Sequence, residues 1–254
     1  MPKASRDSLA IVTGTSTGIG EAVARQLLER GWVVIGIARR ASPISHAAYR
    51  HVPFDLGLVA QDPAPLEDAL TPFVSGSAAH RVGLVNNAAA PEGLMPVGNL
   101  DPRQVARVYA VNVVAPLWLM GFVVRTLPAH GTLRIVNVSS GAATTGFPGL
   151  AAYGSSKAAL RLAGMSFARE WDAAAPTARA PRDAAVLSYE PGVVETDMQR
   201  YARSRSPEEF PWVQMFLDFA ARGIGVHPDL PARDIVAFLE SNHQPRFAER
   251  RLGA

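Results

Sequence analysis

The stretch around which the rest of the chain is organised is I-V-N-V-S-S-G-A-A-T-T-G-F-P-G-L-A-A-Y-G-S-S-K-A-A-L, residues 135–160. It opens as a β-branched run, passes through a loop rich in glycine, serine and threonine, and ends in residues typical of a helix. Tyr153 and Lys157 are four positions apart, so they share one face of that helix. Ser139 and Ser140 stand where the strand ends. The pattern predicts a strand, a loop and a helix that bring a serine, a tyrosine and a lysine within reach of one another.

This grouping of residue types has a chemical use. The pKa of a free tyrosine is about 10, which makes it a poor acid–base catalyst at neutral pH. A cation held beside the phenol favours the phenolate and lowers the pKa toward the working range. We therefore expect Tyr153 to exchange a proton with a substrate while Lys157 supplies the cation. Taken alone, a Tyr-x-x-x-Lys pair is also common on solvent-exposed helix faces, so the rest of the chain has to support this interpretation.

A glycine-rich loop near the start of the chain indicates a phosphate site. Residues 9–12 (L-A-I-V) read as a buried strand, T-G-T-S-T-G-I-G follows at 13–20, and a helix is predicted over 21–30 before Gly31. A strand, a glycine loop and a helix in this order place backbone N–H groups and a helix N-terminus against a phosphate. The spacing of Gly14, Gly18 and Gly20 differs from the G-x-G-x-x-G dinucleotide fingerprint.

The end of the second predicted strand, residues 32–37, bears on the choice of cofactor. The strand leads into Ala38, Arg39 and Arg40. In dinucleotide-binding folds an acidic residue here binds the ribose hydroxyls, whereas an arginine accommodates a 2′-phosphate. No Asp or Glu stands at this point, so the two arginines favour NADP(H) over NAD(H).

Strands alternate with helices along the chain, which predicts an α/β fold with a doubly wound parallel sheet of the Rossmann type and helices on both faces. We expect one domain spanning residues 1–254. The predicted strands cover 9–12, 32–37, 49–54, 82–85, 133–138 and 184–189. The predicted helices cover 21–30, 63–75, 101–110, 111–127, 153–171 and 231–240. No seventh strand is evident in the short tail.

Composition limits the remaining possibilities. The chain has 254 residues, of which 48% are hydrophobic and 19% charged, as suits a globular protein with a large buried core. It has no cysteine, which excludes disulfide frameworks and thiolate chemistry. The net charge of +3 comes without a basic stripe interleaved with aromatics, which argues against a nucleic acid partner. The histidines show no paired metal-ligand spacing, so we expect no metal site.

Two segments bear on location. Residues 1–8 are short and polar and lead directly into a strand, which argues against a signal peptide. Residues 108–124 are almost wholly apolar, but they fall short of the roughly 20 residues that a membrane-spanning helix needs and contain Asn112 and Pro116. We expect a helix that is buried on most sides, no membrane partner and a cytoplasmic protein.

Several motifs, in the order in which they occur, resemble those of the short-chain dehydrogenase/reductase family. They are T-G-x-x-x-G-x-G at 13–20, N-N-A-A at 86–89, Tyr-x-x-x-Lys at 153–157 and P-G-x-x-x-T at 191–196. In this family a serine usually precedes the tyrosine by thirteen positions, which selects Ser140 over Ser139. Residues 188–203, S-Y-E-P-G-V-V-E-T-D-M-Q-R-Y-A-R, are most similar to the branch of sepiapterin reductase and benzil reductase.

The resemblance implies a catalytic set of Ser140, Tyr153, Lys157 and Asn112. In the family the tyrosine donates a proton to the developing alkoxide, the serine hydrogen-bonds the carbonyl oxygen, and the lysine lowers the tyrosine pKa and holds the ribose. The asparagine supports a water relay from the lysine to solvent. A hydrogen-bonded amide in a local helix kink would explain Asn112 equally well.

The resemblance also implies where NADP(H) would lie. Arg39 is the better candidate for the 2′-phosphate, Asp55 would face the adenine, and the P-G-x-x-x-T element would reach the nicotinamide amide. The implied cofactor-binding residues are Gly14, Thr15, Ser16, Gly18, Ile19, Gly20, Arg39, Arg40, Asp55, Leu56, Asn87, Ala88, Ala89, Tyr153, Lys157, Pro191, Gly192, Val194 and Thr196.

The expected activity is hydride transfer from NADPH to a small-molecule ketone or diketone similar to benzil or sepiapterin. Two alternatives stay open: oxidation of a steroid, sugar or polyketide-like alcohol with NADP, and a regulatory protein that binds NADP without turnover. Residues 9–198 would form the cofactor-binding and catalytic core. Residues 199–225, with their aromatic stripe, would be either a substrate lid or core packing. Family analogy implies a homodimer or homotetramer.

Overall fold

The computed structural model describes residues 7–75, 77, 79–126, 131–173, 183–242 and 244–253, and the first six residues of the predicted polar N-terminus lie outside this range. The described residues form a parallel sheet in the order β3-β2-β1-β4-β5-β6-β7. Its strands are β1 (Ser8–Thr13), β2 (Val33–Ala38), β3 (Tyr49–Pro53), β4 (Arg81–Asn86), β5 (Thr132–Val138), β6 (Asp183–Glu190) and β7 (Phe247–Arg251).

Helices cover both faces of this sheet, as the alternating pattern predicts. They are α1 (Gly18–Glu29), α2 (Ala64–Val74), α3 (Pro102–Tyr109), α4 (Ala115–Thr126), α5 (Ala151–Ala173), α6 (Asp197–Arg203), α7 (Val213–Ala221) and α8 (Asp229–Glu240). The predicted α/β class is confirmed, with each of the six expected strands present.

Period-two alternation along the strands divides the core into two layers. In β1, Ile11 faces a layer that includes Leu70 of α2, whereas Val12 faces a layer that includes Leu27 of α1 and Ile235 of α8. Because the central strands are buried on both faces, they read as continuous hydrophobic runs rather than alternating ones. This explains why short runs such as residues 9–12 were recognisable as strands.

The order of the strands determines where a ligand can bind. β1 pairs with β2 on one side and with β4 on the other, so the direction of winding reverses at β1. The loops that follow the strands on the two sides of β1 therefore run to opposite faces of the sheet. A crevice opens between these loops, beyond the carboxyl ends of the strands.

The prediction of a tail without a strand is wrong. β7 pairs in parallel with β6, with Val186 opposite Phe247 and Glu190 opposite Arg251. Its sequence, F-A-E-R-R, lacks a hydrophobic run because β7 lies at the edge of the sheet, where three of its five residues are exposed. Ion pairs of Glu249 with Arg161 and of Arg251 with Glu190 stabilise the edge strand.

The two helices predicted over 101–110 and 111–127 form one continuous stretch, Pro102–Thr126. A π-helical turn, Ala110–Val114, joins α3 to α4. By length and composition this stretch could cross a membrane, but 56% of its apolar window is buried inside the protein. Leu119 and Phe122 of α4 are fully buried against the sheet. The stretch is therefore a helix of the core, as its interrupting polar residues suggested.

One charged side chain is completely buried in the sheet. Arg134 of β5 has no exposed surface and donates a 2.6 Å hydrogen bond to the carboxylate of Asp183. It also donates to the carbonyl oxygens of Leu133, Asp183 and Ser241. A buried guanidinium is tolerated only when its donors are satisfied in this way.

Replacing this arginine should therefore be costly. We expect Arg134→Met to lower the free energy of unfolding by about 3 kcal/mol, because Asp183 and several carbonyl groups each lose one buried donor. Arg103→Met is the matched control, since the Arg103 side chain is 91% exposed and pairs only locally with Asp101. The urea denaturation curve of the control should superimpose on that of wild type, because an exposed local ion pair contributes little to stability. Equal losses in the two variants would contradict the structural role of Arg134.

Candidate active site

A cleft of about 870 Å³ lies beyond the carboxyl ends of the strands. It is lined by the glycine loop after β1, the loops after β2 to β6, and residues of α5, α6 and α7. Most residues singled out from the sequence line this cleft. In the described part of the chain, no three His, Cys, Asp or Glu residues cluster as metal ligands would.

Ser140 and Tyr153 meet at the centre of the cleft. Ser140 is the N-cap of a 3₁₀ turn, Gly141–Ala143, and its hydroxyl accepts a 3.2 Å hydrogen bond from the Ala142 N–H. The same hydroxyl is hydrogen-bonded to the phenol of Tyr153. Ser139 also lines the cleft, but no hydrogen bond joins its side chain to the tyrosine. The thirteen-residue spacing therefore selected the serine that contacts Tyr153.

Lys157 lies one turn after Tyr153 on α5 and is almost completely buried. Its ammonium donates a 2.7 Å hydrogen bond to the carbonyl oxygen of Val138, the last residue of β5. The ammonium lies 5.7 Å from the centre of the Tyr153 ring. Gly154 lets α5 pack closely against the 3₁₀ turn that follows Ser140, because a Cβ atom at residue 154 would lie 2.8 Å from the carbonyl oxygen of Ala142.

Burial governs the pKa values of this pair. Burial raises the pKa of Tyr153 to about 12, and the hydrogen bond from Ser140 opposes that shift only partly. Burial also lowers the pKa of Lys157 to about 8. The sequence led us to expect a lowered tyrosine pKa. In the protein without a cofactor the Tyr153 pKa is raised instead, because desolvation outweighs the hydrogen bond from Ser140. Tyr153 is thus protonated at neutral pH.

Asn112 lies behind the cleft rather than in it. It occupies the π-helical turn and is fully buried. Its amide oxygen accepts a 2.8 Å hydrogen bond from the Ala90 N–H, and its amide nitrogen donates to the Ser156 hydroxyl at 3.0 Å. The side chain therefore ties the loop after β4 to the helix that carries Tyr153. A role in a water relay stays a prediction, while the satisfied amide in an irregular helix is what the structure contains.

The glycine loop forms one end of the cleft. Gly14 and Gly18 adopt positive φ values of 77° and 65°, which side chains rarely allow. Ser16 and Ile19 also line the cleft, and α1 begins at Gly18 without a side-chain cap on its free N–H groups. An anion can bind to such uncapped groups.

Two of the predicted cofactor-binding residues do not line the cleft. Thr15 is fully buried, and its hydroxyl pairs with the Tyr49 hydroxyl at 2.9 Å on the opposite side of the loop. Gly20 packs against the loop itself, where a Cβ atom would clash with the carbonyl oxygen of Gly14. Both residues shape the glycine loop from behind. The motif alone does not show which of its residues face the cleft, because that depends on the path of the loop backbone.

The two arginines after β2 differ in their surroundings. Arg40 donates a 2.8 Å hydrogen bond to Asp197 at the start of α6, and Asp197 also accepts from Thr17 at 3.2 Å. Arg39 lines the cleft and makes no hydrogen bond or ion pair with any residue that the structure describes. Of the two, only Arg39 has its guanidinium available for a ligand.

Asp55 and Leu56 line the same end of the cleft as Arg39. Nη2 of Arg107 lies 2.8 Å and 2.9 Å from the two carboxylate oxygens of Asp55, and the Gly57 N–H donates a further 2.9 Å hydrogen bond. Burial alone would raise the pKa of Asp55, but these hydrogen bonds outweigh it and lower the pKa below its ordinary value. The carboxylate is therefore ionised and held in a fixed orientation.

The remaining predicted residues line the middle of the cleft. Thr13 accepts hydrogen bonds from the N–H groups of Asn87 and Ala88 at 2.9 Å and 3.0 Å, which fixes the loop after β4. Ala89 follows in that loop. On the opposite side the cleft is lined by Pro191, Gly192, Val194 and Thr196.

The cleft is also lined by residues that none of the sequence motifs contains. They lie in the loop after β4 and in the segment after residue 196. These residues are Glu92, Leu94, Met198, Gln199, Tyr201 and Phe216. Phe210, in contrast, is fully buried in a small cluster with Leu150 and Val213. Within the aromatic stripe of residues 199–225, Phe210 therefore packs in a core cluster and Phe216 lines the cleft, while a role of the segment as a substrate lid stays a prediction. Helical spacing alone could not separate the two.

The raised pKa of Tyr153 can be measured directly. The difference in ultraviolet absorbance between wild type and Tyr153→Phe isolates this phenol from the other tyrosines. In cofactor-free protein we expect this difference to show no phenolate step below about pH 10, because burial disfavours the charged form. A phenolate step centred at about pH 8 would show instead that the Lys157 ammonium lowers the Tyr153 pKa more than desolvation raises it.

Comparisons with known proteins identify the family of the chain. Residues 8–207 match the family model described as short chain dehydrogenase. The chain is 30% identical over 233 residues to benzil reductase ((S)-benzoin forming) of Bacillus subtilis, with 91% of this chain and 93% of that protein covered. It is 29% identical to sepiapterin reductase of Xenopus tropicalis, with 92% of each chain covered.

A solved structure supports the same assignment. The crystal structure of a short-chain dehydrogenase/reductase from Saccharomyces cerevisiae superimposes with a TM-score of 0.80 at 25% identity, and 95% of each chain is covered. The family model spans most of the chain, including the glycine loop and the Ser140–Tyr153–Lys157 group. The chain therefore belongs to the short-chain dehydrogenase family and is an oxidoreductase that acts on CH–OH or C=O groups.

Proposed function

We propose that the protein is an NADPH-dependent carbonyl reductase whose substrates are ketones or diketones. The observation that carries the proposal is the Ser140–Tyr153 hydrogen bond beside the buried Lys157, inside a cleft with a phosphate-type glycine loop at one end. The sequence relationship to a benzil reductase and a sepiapterin reductase supports reduction of an activated carbonyl.

A neutral Tyr153 phenol fits the role of proton donor in carbonyl reduction. A group that donates a proton must hold that proton at the working pH, and desolvation, which raises the pKa of Tyr153, favours the neutral phenol. The hydroxyl of Ser140, already paired with the phenol, is placed to hydrogen-bond the same carbonyl oxygen. A carbonyl oxygen between these two hydroxyls would be polarised and held in one orientation.

Lys157 stabilises the charge that proton transfer creates. When bound, the nicotinamide supplies the hydride. Once Tyr153 has given up its proton, the phenolate lies near the Lys157 ammonium, which remains largely protonated at pH 7 because its pKa is about 8. The hydrogen bond from this ammonium to Val138 keeps it in place during the transfer.

The residues at the far end of the cleft fit a dinucleotide with a 2′-phosphate. The uncapped start of α1 and the side-chain-free glycines leave backbone N–H groups free to meet a pyrophosphate. Arg39 supplies an unpaired guanidinium where a 2′-phosphate would lie, and the nearest carboxylate, Asp55, is already bound by Arg107. These contacts support NADP(H) as the cofactor.

Loss of the Tyr153 hydroxyl tests the catalytic assignment. The substrates are benzil, a simple α-diketone, sepiapterin and an aldehyde, and cofactor oxidation is followed by absorbance. The wild-type enzyme should oxidise NADPH faster than NADH. Tyr153→Phe should lower kcat about 10² to 10⁴-fold, as expected for loss of a general acid, while leaving NADPH affinity nearly unchanged.

Tyr109→Phe is the matched control for this experiment. It also removes a hydroxyl that contacts α5, through a 2.9 Å hydrogen bond to Ser155, but it lies outside the cleft. Its kcat should stay within about twofold of wild type. Retention of most activity by Tyr153→Phe would refute the assignment, and tight NADPH binding without turnover of any carbonyl would favour a regulatory protein.

The unequal surroundings of the two arginines predict unequal effects on cofactor choice. Arg39→Ala should weaken NADPH binding by about 10 to 100-fold, the value of a charge-assisted hydrogen bond to phosphate, and leave NADH binding unchanged. Arg40→Ala should change NADPH affinity by no more than about threefold, because Arg40 is engaged by Asp197. Fluorescence titration of both cofactors measures this. The proposal fails if Arg39→Ala weakens the two cofactors equally.

A further inference from the structure

Glu92 is an acidic residue of the cleft that has no partner. It follows β4 in the segment P-E-G-L, residues 91–94, all of which are near or on the cleft wall. Its Oε2 atom is shielded from solvent, and neither carboxylate oxygen accepts a hydrogen bond from any described residue. The other two acids that line the cleft are paired, Asp55 with Arg107 and Asp197 with Arg40.

An unpaired carboxylate oxygen in this position requires an explanation. Withdrawing such an atom from water without a compensating donor costs free energy, so buried polar groups are nearly always hydrogen-bonded. In a cleft that receives small molecules, a ligand with a donor group can complete the hydrogen bond. The amide oxygen of Gln199, which lines the cleft from α6, is buried without a donor in the same way. A carboxylate oxygen can only accept a hydrogen bond, so the group that completes the hydrogen bond of Glu92 is a donor.

Glu92 lines the same cleft as Tyr153, and the two residues after it pack against the helix of the catalytic tyrosine. Its neighbour Gly93, at a φ of 75°, packs against the helix of the catalytic tyrosine, since a Cβ on Gly93 would lie 3.3 Å from the Cβ of Ala152. The next residue, Leu94, belongs to the same apolar cluster as Leu150 and Tyr153. Glu92 is thus held by a segment that packs against α5 next to Tyr153, and apolar residues such as Leu94 and Phe216 line the same cleft.

We propose that Glu92 determines substrate specificity by selecting carbonyl compounds that carry a hydroxyl or protonated amine close to the reacting carbonyl. The donor group completes the hydrogen bond of the carboxylate, while the apolar wall accepts the body of the substrate. The inference rests on the proposed carbonyl reduction and names the substrate class for that site. A substrate without a donor would leave the carboxylate unpaired and would bind less tightly.

Three aryl ketones of similar size test this proposal. They are α-hydroxyacetophenone and α-aminoacetophenone, which carry the donor on the carbon next to the carbonyl, and propiophenone, in which a methyl group replaces the donor. For each enzyme, the ratio of kcat/KM between a donor-bearing ketone and propiophenone is measured with NADPH. We expect this ratio to fall at least tenfold from wild type to Glu92→Leu, through a higher KM for the donor-bearing ketones. Comparing ratios between enzymes cancels the intrinsic reactivity of each ketone.

A conservative variant separates charge from hydrogen bonding. Glu92→Gln keeps an acceptor oxygen but loses the negative charge, so it should retain most of the preference for the hydroxyl ketone and lose the preference for the amino ketone. Glu29→Leu is the control for loss of an acidic residue, since Glu29 is exposed at the end of α1 and outside the cleft. Its ratios should match those of wild type. Unchanged ratios in Glu92→Leu would overturn the proposal.

A binding measurement keeps this inference separate from the catalytic proposal. Calorimetric titration of the NADPH-loaded enzyme with 2-amino-1-phenylethanol, the reduced amino ketone, requires no turnover. We expect binding to be at least tenfold weaker in Glu92→Leu than in wild type. If wild type reduces no ketone but this difference in affinity is found, the proposed reaction fails and the inference about Glu92 stands. Equal affinities, or no binding to wild type, would refute the inference.

Discussion

The geometry of the active site depends on one buried hydrogen bond, from the Lys157 ammonium to the carbonyl oxygen of Val138. An ammonium withdrawn from water needs acceptors in place of hydration, and the end of β5 provides one. The bond ties α5 to the strand from which Ser140 emerges, so it sets the distance across which Ser140 and Tyr153 meet. Asn112 adds a second tie, between α5 and the loop after β4. Two elements of different chain segments are thus held in register around the reacting groups.

Much of this arrangement could be predicted from the sequence because it depends on local spacing. The strands of the sheet interior are continuous apolar runs, and the positions of Ser140, Tyr153 and Lys157 follow from one strand–loop–helix unit. The sign of the Tyr153 pKa shift could not be predicted. A lysine four residues away is visible in the sequence, whereas the depth of burial depends on α6 and α7. Desolvation is the largest effect on Tyr153, and it raises the pKa that a neighbouring cation by itself would lower.

The features that the sequence did not reveal all depend on contacts between distant segments. Arg39 and Arg40 are indistinguishable as neighbours in the sequence, and only the approach of Asp197 separates a free guanidinium from an engaged one. Glu92 stands out as unpaired only when the surroundings of its carboxylate are known. In the same way, Thr15 belongs to the glycine motif but contacts Tyr49 instead of the cleft. The sequence shows which chemical groups these residues carry, but it does not show which of those groups are free to bind a ligand.

The charged edge strand β7 has a consequence for the behaviour of the folded protein in solution. An uncovered strand edge is a template on which a strand of another molecule can add and start aggregation, and charged residues at the edge oppose this. β7 presents Glu249, Arg250 and Arg251 to solvent, whereas the strand behind it, β6, is buried along almost its whole length. The last strand therefore shields an apolar one. Loss of β7 would leave a longer edge that carries charge only at its two ends, Asp183 and Glu190, and self-association rather than unfolding would be the first sign of damage.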